Sequence, residues 1–253
     1  MGGMEIAEHI AALRIEGERL AAAAGSAGPD APVPSCPDWV ARDLVRHLGG
    51  VHRWATGYVA GARTEQWDVD MDELSATYPG DDGWLGWFRD GLAALVDALG
   101  SASPDLECWT FLAAPSPLAF WARRQAHETA IHRVDAELAA GLEPSGSGAA
   151  FAADGIDELL TGFITRRKGG PAADATKALR VQCTDTDADW LVRVGPDGVT
   201  TVRHGGDGTC AVSGPASDLY VTLWNRRAAS GLAVEGEEAV LAEFLQATRI
   251  RWS

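Results

Sequence analysis

The sequence predicts an α+β protein in two parts: an antiparallel four-helix bundle, then a smaller α+β domain with a short antiparallel sheet. Four segments before residue 144 repeat their apolar residues at helical spacing. The run Ser145-Gly-Ser-Gly148 then breaks the pattern and reads as a linker. From Leu179 onward the texture changes to alternation and turns, as short strands require. Domains are therefore expected at 1–144 and 149–253.

Helix one is expected over 5–24, where Ile6, Ile10, Leu13 and Leu20 share a side and Gly25-Ser-Ala-Gly-Pro29 ends it. The lead-in Pro32-Val-Pro-Ser-Cys-Pro-Asp-Trp39 opens helix two, 40–60, whose apolar side is Leu44, Leu48, Val51, Ala55 and Val59. Asp38 and Asp43 favour its N-terminus through capping and the helix dipole. Gly49 and Gly50 in this helix allow a neighbour to approach closely. Residues 62–82 are acidic and irregular, a long connection able to fold over a site. Helix three, 82–99, carries Leu85, Phe88, Leu92, Leu95, Val96 and Leu99. The loop 100–116 holds Cys108, Trp109 and Phe111, too apolar to stay in water, so it should pack back on the bundle. Helix four runs 117–140 and stops at Gly141-Leu-Glu-Pro144. In the second part a helix over 151–167 ends at Lys168-Gly-Gly-Pro171. Strands follow at 179–183, 190–194, 199–203 and 209–212, with a Gly195-Pro-Asp-Gly198 turn, then a helix over 215–229, a strand at 232–234 and a helix over 237–248.

Composition excludes several classes. A formal charge of −15 argues against nucleic acid or an anionic membrane surface as partner. Residues 1–20 lack a signal-peptide core and no run of about 18 apolar residues occurs, so a cytoplasmic protein is expected, as monomer or homodimer. The four cysteines, Cys36, Cys108, Cys183 and Cys210, form no CxxC pair and read as reduced thiols.

The chemistry concentrates in helix four, at Trp121-Ala-Arg-Arg-Gln-Ala-His-Glu-Thr-Ala-Ile-His-Arg-Val-Asp-Ala-Glu137. Glu128 and His132 are four apart, on nearly one face, so the pair can bind a metal or form a surface hydrogen bond. The zinc-protease signature fails, because position 131 is Ile and His127 and His132 stand about 140° apart around the helix. A third ligand must come from a facing helix. The candidates are His9, His47, His52 and His204, with His47 favoured for its central place in helix two; His52 lies about 140° around from it.

Four stretches carry a family resemblance: Cys36-Pro-Asp-Trp39, Arg42 to Trp54, the helix Trp121 to Glu137, and Gly214-Pro-Ala-Ser-Asp-Leu-Tyr-Val-Thr-Leu-Trp-Asn-Arg226. In order and over most of the chain, they resemble the actinobacterial mycothiol-dependent maleylpyruvate isomerase family. The resemblance implies a DinB-like four-helix metal-binding domain and a C-terminal α+β domain. It implies that His47, Glu128 and His132 are the metal ligands, and that Arg226 comes from the C-terminal domain towards the substrate. Two imidazoles and a carboxylate suit Zn²⁺ and leave a position open. Mycothiol is the implied thiol cosubstrate, since coordination to a divalent cation deprotonates a thiol. The implied activity is thiol addition to a small electrophile, as isomerase or S-transferase; the alternative is a non-catalytic metal- or thiol-conjugate-binding protein of the same fold. Asp135 reads as an outer partner that orients a ligand His or as a surface charge, with a structural role favoured, and Trp39 and Trp54 read as core. His52 and His127 read as polar-surface or capping residues, with a proton shuttle near the metal as the alternative.

Overall fold

A computed structural model describes residues 3–166, 176–196 and 198–248. The expected Lys168–Pro171 stop and Asp197 of the expected turn lie outside the described residues. The chain divides into two units, Glu5–Ser145 and the residues from Gly146 on, the second including Gly3 and Met4.

The first unit is built on α1 (Ile6–Ala27), α2 (Ala41–Gly61), the short α3 (Met71–Leu74), α4 (Trp84–Ser101) and α5 (Pro117–Ala139). Local chemistry starts these helices where the sequence suggests. The Asp43 carboxylate accepts a hydrogen bond from the Val40 N–H at 3.0 Å to begin α2, whereas Asp38 is exposed. Ser116 caps α5 by accepting from the Ala119 N–H at 3.1 Å, with Pro117 at the first helical position.

The four long helices pack as a bundle in which α1 lies against α5 and α4, and α2 against α4 and α5. Their directions follow from their contacts. Glu16 reaches Arg133 and His9 meets His127, so α1 and α5 run parallel. His47 meets His132 and Tyr58 meets Trp121, so α2 and α5 are antiparallel. Gly17 faces Leu92 and Gly25 faces Leu85, so α1 and α4 are antiparallel as well. The bundle thus contains parallel neighbours, α1 with α5 and α2 with α4, beside its antiparallel pairs. Consecutive helices α2 and α4 can run alongside in one direction only because the long 62–83 segment crosses back between them. That crossover seats on glycines: a Cβ on Gly50 would lie 2.7 Å from Met71 Cε, and one on Gly57 2.4 Å from the Trp67 ring. Gly49 does the same for α4, since a Cβ there would stand 2.1 Å from the Trp87 ring.

The 100–116 loop packs back on the bundle as its apolar residues require. Trp54, Tyr58, Trp109, Phe111, Phe120 and Trp121 form one aromatic cluster, and the Trp121 indole donates to the Trp109 carbonyl at 3.0 Å. Trp54, expected in the core, packs against this cluster but remains half-buried.

In the second unit, α6 (Ala149–Asp157) continues through a π-helical turn (Glu158–Phe163) into α7 (Ile164–Arg166). The strands β1 (Lys177–Cys183), β2 (Asp189–Gly195), β3 (Gly198–Arg203), β4 (Cys210–Gly214) and β5 (Ala233–Gly236) form one sheet in the order β3-β2-β1-β4-β5. All pairs are antiparallel except β1 with β4, which is parallel. Leu179, Val181, Trp190, Val192, Cys210 and Val212 are buried, and α9 (Glu238–Ala247) packs against β1 and β4. Asp157 at the end of α6 is tied to the sheet by the Trp190 indole at 2.9 Å and by two Arg203 nitrogens at 2.6 Å. The helix expected to reach residue 229 is α8 (Ala216–Leu223) and ends sooner. Asn225 takes φ 61°, and the Arg226 N–H turns back to the Val221 carbonyl at 3.0 Å, a left-handed helix stop that Asn tolerates.

Candidate metal centre

Helix α5 was expected to present one apolar face and is instead buried almost all round, with Arg124, Gln125, His127, Glu128, Thr129, His132, Arg133, Asp135 and Glu137 among its buried residues. Burying so many polar groups is costly unless they satisfy one another. Around Glu128 they converge on one point.

The Glu128 carboxylate is only 7% exposed, with its Oε1 3.3 Å from His132 Nε2 and 4.0 Å from His47 Nε2. One donor atom from each of these residues lies within 4.8 Å of the others. Antiparallel packing of α2 on α5 brings His47 opposite the i, i+4 pair. Glu128 and His132 are each oriented from behind. Arg124, one turn before Glu128, donates to its other oxygen, Oε2, at 3.0 Å. Asp135, fully buried, holds His132 Nδ1 at 2.9 Å, which turns Nε2 towards Glu128. Ser35 in turn donates to the other Asp135 oxygen at 2.5 Å.

Electrostatics follow this geometry. Burial alone would raise the Glu128 carboxyl, but His132, His47 and Arg124 together hold it well below the usual range. Burial opposes charge on His132, yet Asp135 and Glu128 push it up to about 8, so a proton there offsets the carboxylates. His47 is lowered, chiefly by burial. The arrangement is a compact, buried group of two imidazole nitrogens and a carboxylate oxygen, held in place from outside. Two imidazole nitrogens and a carboxylate oxygen within 4.8 Å of one another are a donor set that fits a divalent cation.

The structure brings His47, Glu128 and His132 together. Arg226 belongs to the second unit, where it is buried rather than solvated and donates from Nη1 to the Trp224 carbonyl at 2.9 Å. Of the other candidates, His9 is buried in α1 beside His127, and His204 is exposed in the second unit, near Asp189 at 3.2 Å. His52 and His127, expected at the surface or as caps, are fully buried: His52 Nε2 lies 2.9 Å from Thr129 Oγ1. Trp39, expected in the core, is half-buried beside the centre, its ring 4.9 Å from that of His47 and stacked 6.5 Å from that of His132. Arg124 and Ser35 were not singled out from the sequence. Arg124 was visible as an i−4 partner of Glu128, while Ser35 is 93 positions from Glu128 and gave no signal. The four cysteines are buried and none forms a disulfide, in line with reduced thiols.

Two family models match the chain: the mycothiol maleylpyruvate isomerase N-terminal domain over residues 10–137, and the C-terminal domain of the same family over 150–243. No curated protein matches the sequence. Among solved structures, the mycothiol-dependent maleylpyruvate isomerase superposes with a TM-score of 0.64 at 15% identity, covering 94% of this chain and 97% of that one. A histidine-to-alanine variant of that enzyme gives a TM-score of 0.66 at the same 15% identity and coverage. Among the described residues, no helix is long and apolar enough to cross a membrane.

Proposed function

Because this chain belongs to the mycothiol maleylpyruvate isomerase family, a family of enzymes, we propose that it uses a divalent metal, Zn²⁺ by its donor set, to activate mycothiol for addition to a small electrophile. The observation that carries the reading is the convergence of His47 Nε2, His132 Nε2 and Glu128 Oε1 on one buried point. When bound there, the cation supplies Lewis acidity that keeps a thiol deprotonated near neutral pH.

The chain's own residues do the rest. Arg124 keeps Glu128 Oε2 occupied, so Oε1 alone faces the centre. Asp135 fixes the His132 tautomer with Nε2 inward. Trp39 walls one side and excludes water. We assign Arg226 the substrate carboxylate. A guanidinium can hold a carboxylate in two-point fashion, which supports this assignment.

In the isomerase reading, the thiolate adds to one carbon of an activated double bond and the electron pair moves to the adjacent carbonyl. The former double bond then rotates, and elimination restores it and releases the thiolate, with no net redox change. An S-transferase keeps the carbon–sulfur bond and protonates the adduct. The proposed place of action is the cytoplasm.

Metal analysis of the purified protein, with mycothiol titrated by calorimetry, tests this. About one equivalent of metal is expected in the wild type and none in His47→Ala or His132→Ala, with thiol binding only in the loaded form. Metal-dependent thiol binding without turnover of any electrophile would favour the binding-protein alternative. No metal after reconstitution would remove the enzyme reading.

A further inference from the structure

We infer that Ser35 and Asp135 are positioning residues for the metal centre, coupling the Pro32–Trp39 segment to the ligand His132. This rests on the metal reading of the site.

The chain of contacts is short and specific. The Ser35 hydroxyl donates to Asp135 Oδ1 at 2.5 Å, and Asp135 Oδ2 lies 2.9 Å from His132 Nδ1. Asp135 has no exposed surface, so its charge is held among these partners and cannot be shared with water. His132 and Asp135 are i, i+3 on α5, a spacing that lets the carboxylate reach back to the near ring nitrogen. Ser35 comes from a separate segment, 100 residues away in sequence. That segment has a backbone of its own: the Cys36 N–H bonds to the Val33 carbonyl at 3.0 Å, the Trp39 N–H to the Cys36 carbonyl at 2.9 Å, and the Val33 N–H to the Trp39 carbonyl at 3.0 Å. This tight loop carries Ser35 on one side and, four residues on, Trp39 against the rings of His47 and His132. One serine hydroxyl thus ties the loop to the carboxylate that sets a ligand's direction. Fixing His132 and placing the Trp39 wall become one event.

Co²⁺ is the probe, because its visible absorption reports ligand geometry as well as occupancy. Asp135→Ala should weaken Co²⁺ binding, measured by chelator competition, by roughly 10- to 100-fold, and alter the visible bands. Asp135→Asn, which keeps an acceptor but not the charge, should fall between. Ser35→Ala should weaken binding several-fold. In the wild type, hydrogen exchange across 32–40 should slow on metal addition, and in Ser35→Ala this protection should be reduced. Circular dichroism of each metal-free variant identifies any that fail to fold, in which case Asp135→Asn and Ser35→Ala decide. Folded variants that match the wild type in affinity, spectrum and exchange would overturn the coupling while leaving the metal reading intact. A wild type that takes up no Co²⁺ would overturn both.

Discussion

Glu128 and Arg133 stand five residues apart on α5, both buried and both charged, and their surroundings are closed in opposite ways. Arg133 donates to Glu16 at 2.7 Å, to Glu137 at 2.7 Å and to the Ser145 carbonyl at 2.6 Å, and the Ser145 N–H returns a bond to Glu137 at 2.9 Å. Donors and acceptors there use one another up. Around Glu128 the atoms able to ligate a metal instead converge: a carboxylate oxygen and two imidazole nitrogens face one point, and Asp135 adds further negative charge behind. The first cluster is complete as protein, whereas the second has the atoms that the proposed cation would join. A buried polar cluster is a functional candidate when its acceptors point inward together, rather than because it is buried.

Breaking the complete cluster should have the largest effect. Arg133→Met removes the buried cation that joins Glu16 to Glu137, leaving Glu16 with Arg19 at 2.9 Å, and should destabilise the protein by about 3–5 kcal/mol. Urea unfolding monitored by tryptophan fluorescence measures this. Metal content of the folded fraction should be unchanged, because none of the three converging ligands touches Arg133 in this network. A variant that stays stable but loses metal would merge the two clusters into one and break the contrast.

His52 sharpens it by being a buried imidazole on the same helix as His47 that belongs to neither cluster. Burial, aided by Arg53, His132 and His47 and opposed by Glu128, brings it down to about 3, so it is neutral in the folded state at any ordinary pH. In the unfolded chain it titrates near 6.5, so on acidification the unfolded state takes the proton first. Stability from this group is whole above about pH 6.5 and drains as pH falls from there towards 3. At pH 5 the loss is about 2 kcal/mol. His52→Gln, which can still meet the Thr129 hydroxyl, should flatten the difference between urea midpoints at pH 7 and pH 5 relative to the wild type. An unchanged pH slope would mean that His52 is not held neutral.

Much of this was legible in the residues. Helical spacing located the four long helices, and alternation with turn residues located the strands. The family motifs in α2 and α5 led to His47, Glu128 and His132, which do converge. What could not be read was pairing across the chain. Nothing in Arg42 to Trp54 shows that α2 and α4 run parallel, since direction depends on where the 62–83 segment travels. The parallel pairing of β1 with β4 likewise needs the connection through β2 and β3, which alternation within each strand does not encode. Asp135 could not be told from a surface charge, because its partner His132 is local but Ser35, which completes its burial, is not. Only the packed structure shows the charges of α5 neutralising one another. The end of α8 was missed at Asn225, where a non-glycine left-handed stop carries little sequence signal.

The smallest stability effect should come from the residue whose loss matters most to the centre. His47 keeps 18% of its side chain exposed and is held below its ordinary pKa, so in the metal-free protein it supplies little binding energy to its neighbours. His47→Ala leaves Glu128 held by Arg124 and His132, and metal-free stability should change by about 1 kcal/mol or less. Zinc separates the proteins. At a free concentration near 100 times its dissociation constant, it should stabilise the wild type by about 2.7 kcal/mol and leave the variant where it was. Paired urea melts, with chelator and with zinc, read both numbers. If the metal-free variant instead falls by several kcal/mol, His47 serves the fold as Arg133 does. The inward-pointing acceptors would then be structural too, and convergence would no longer distinguish a site from a scaffold.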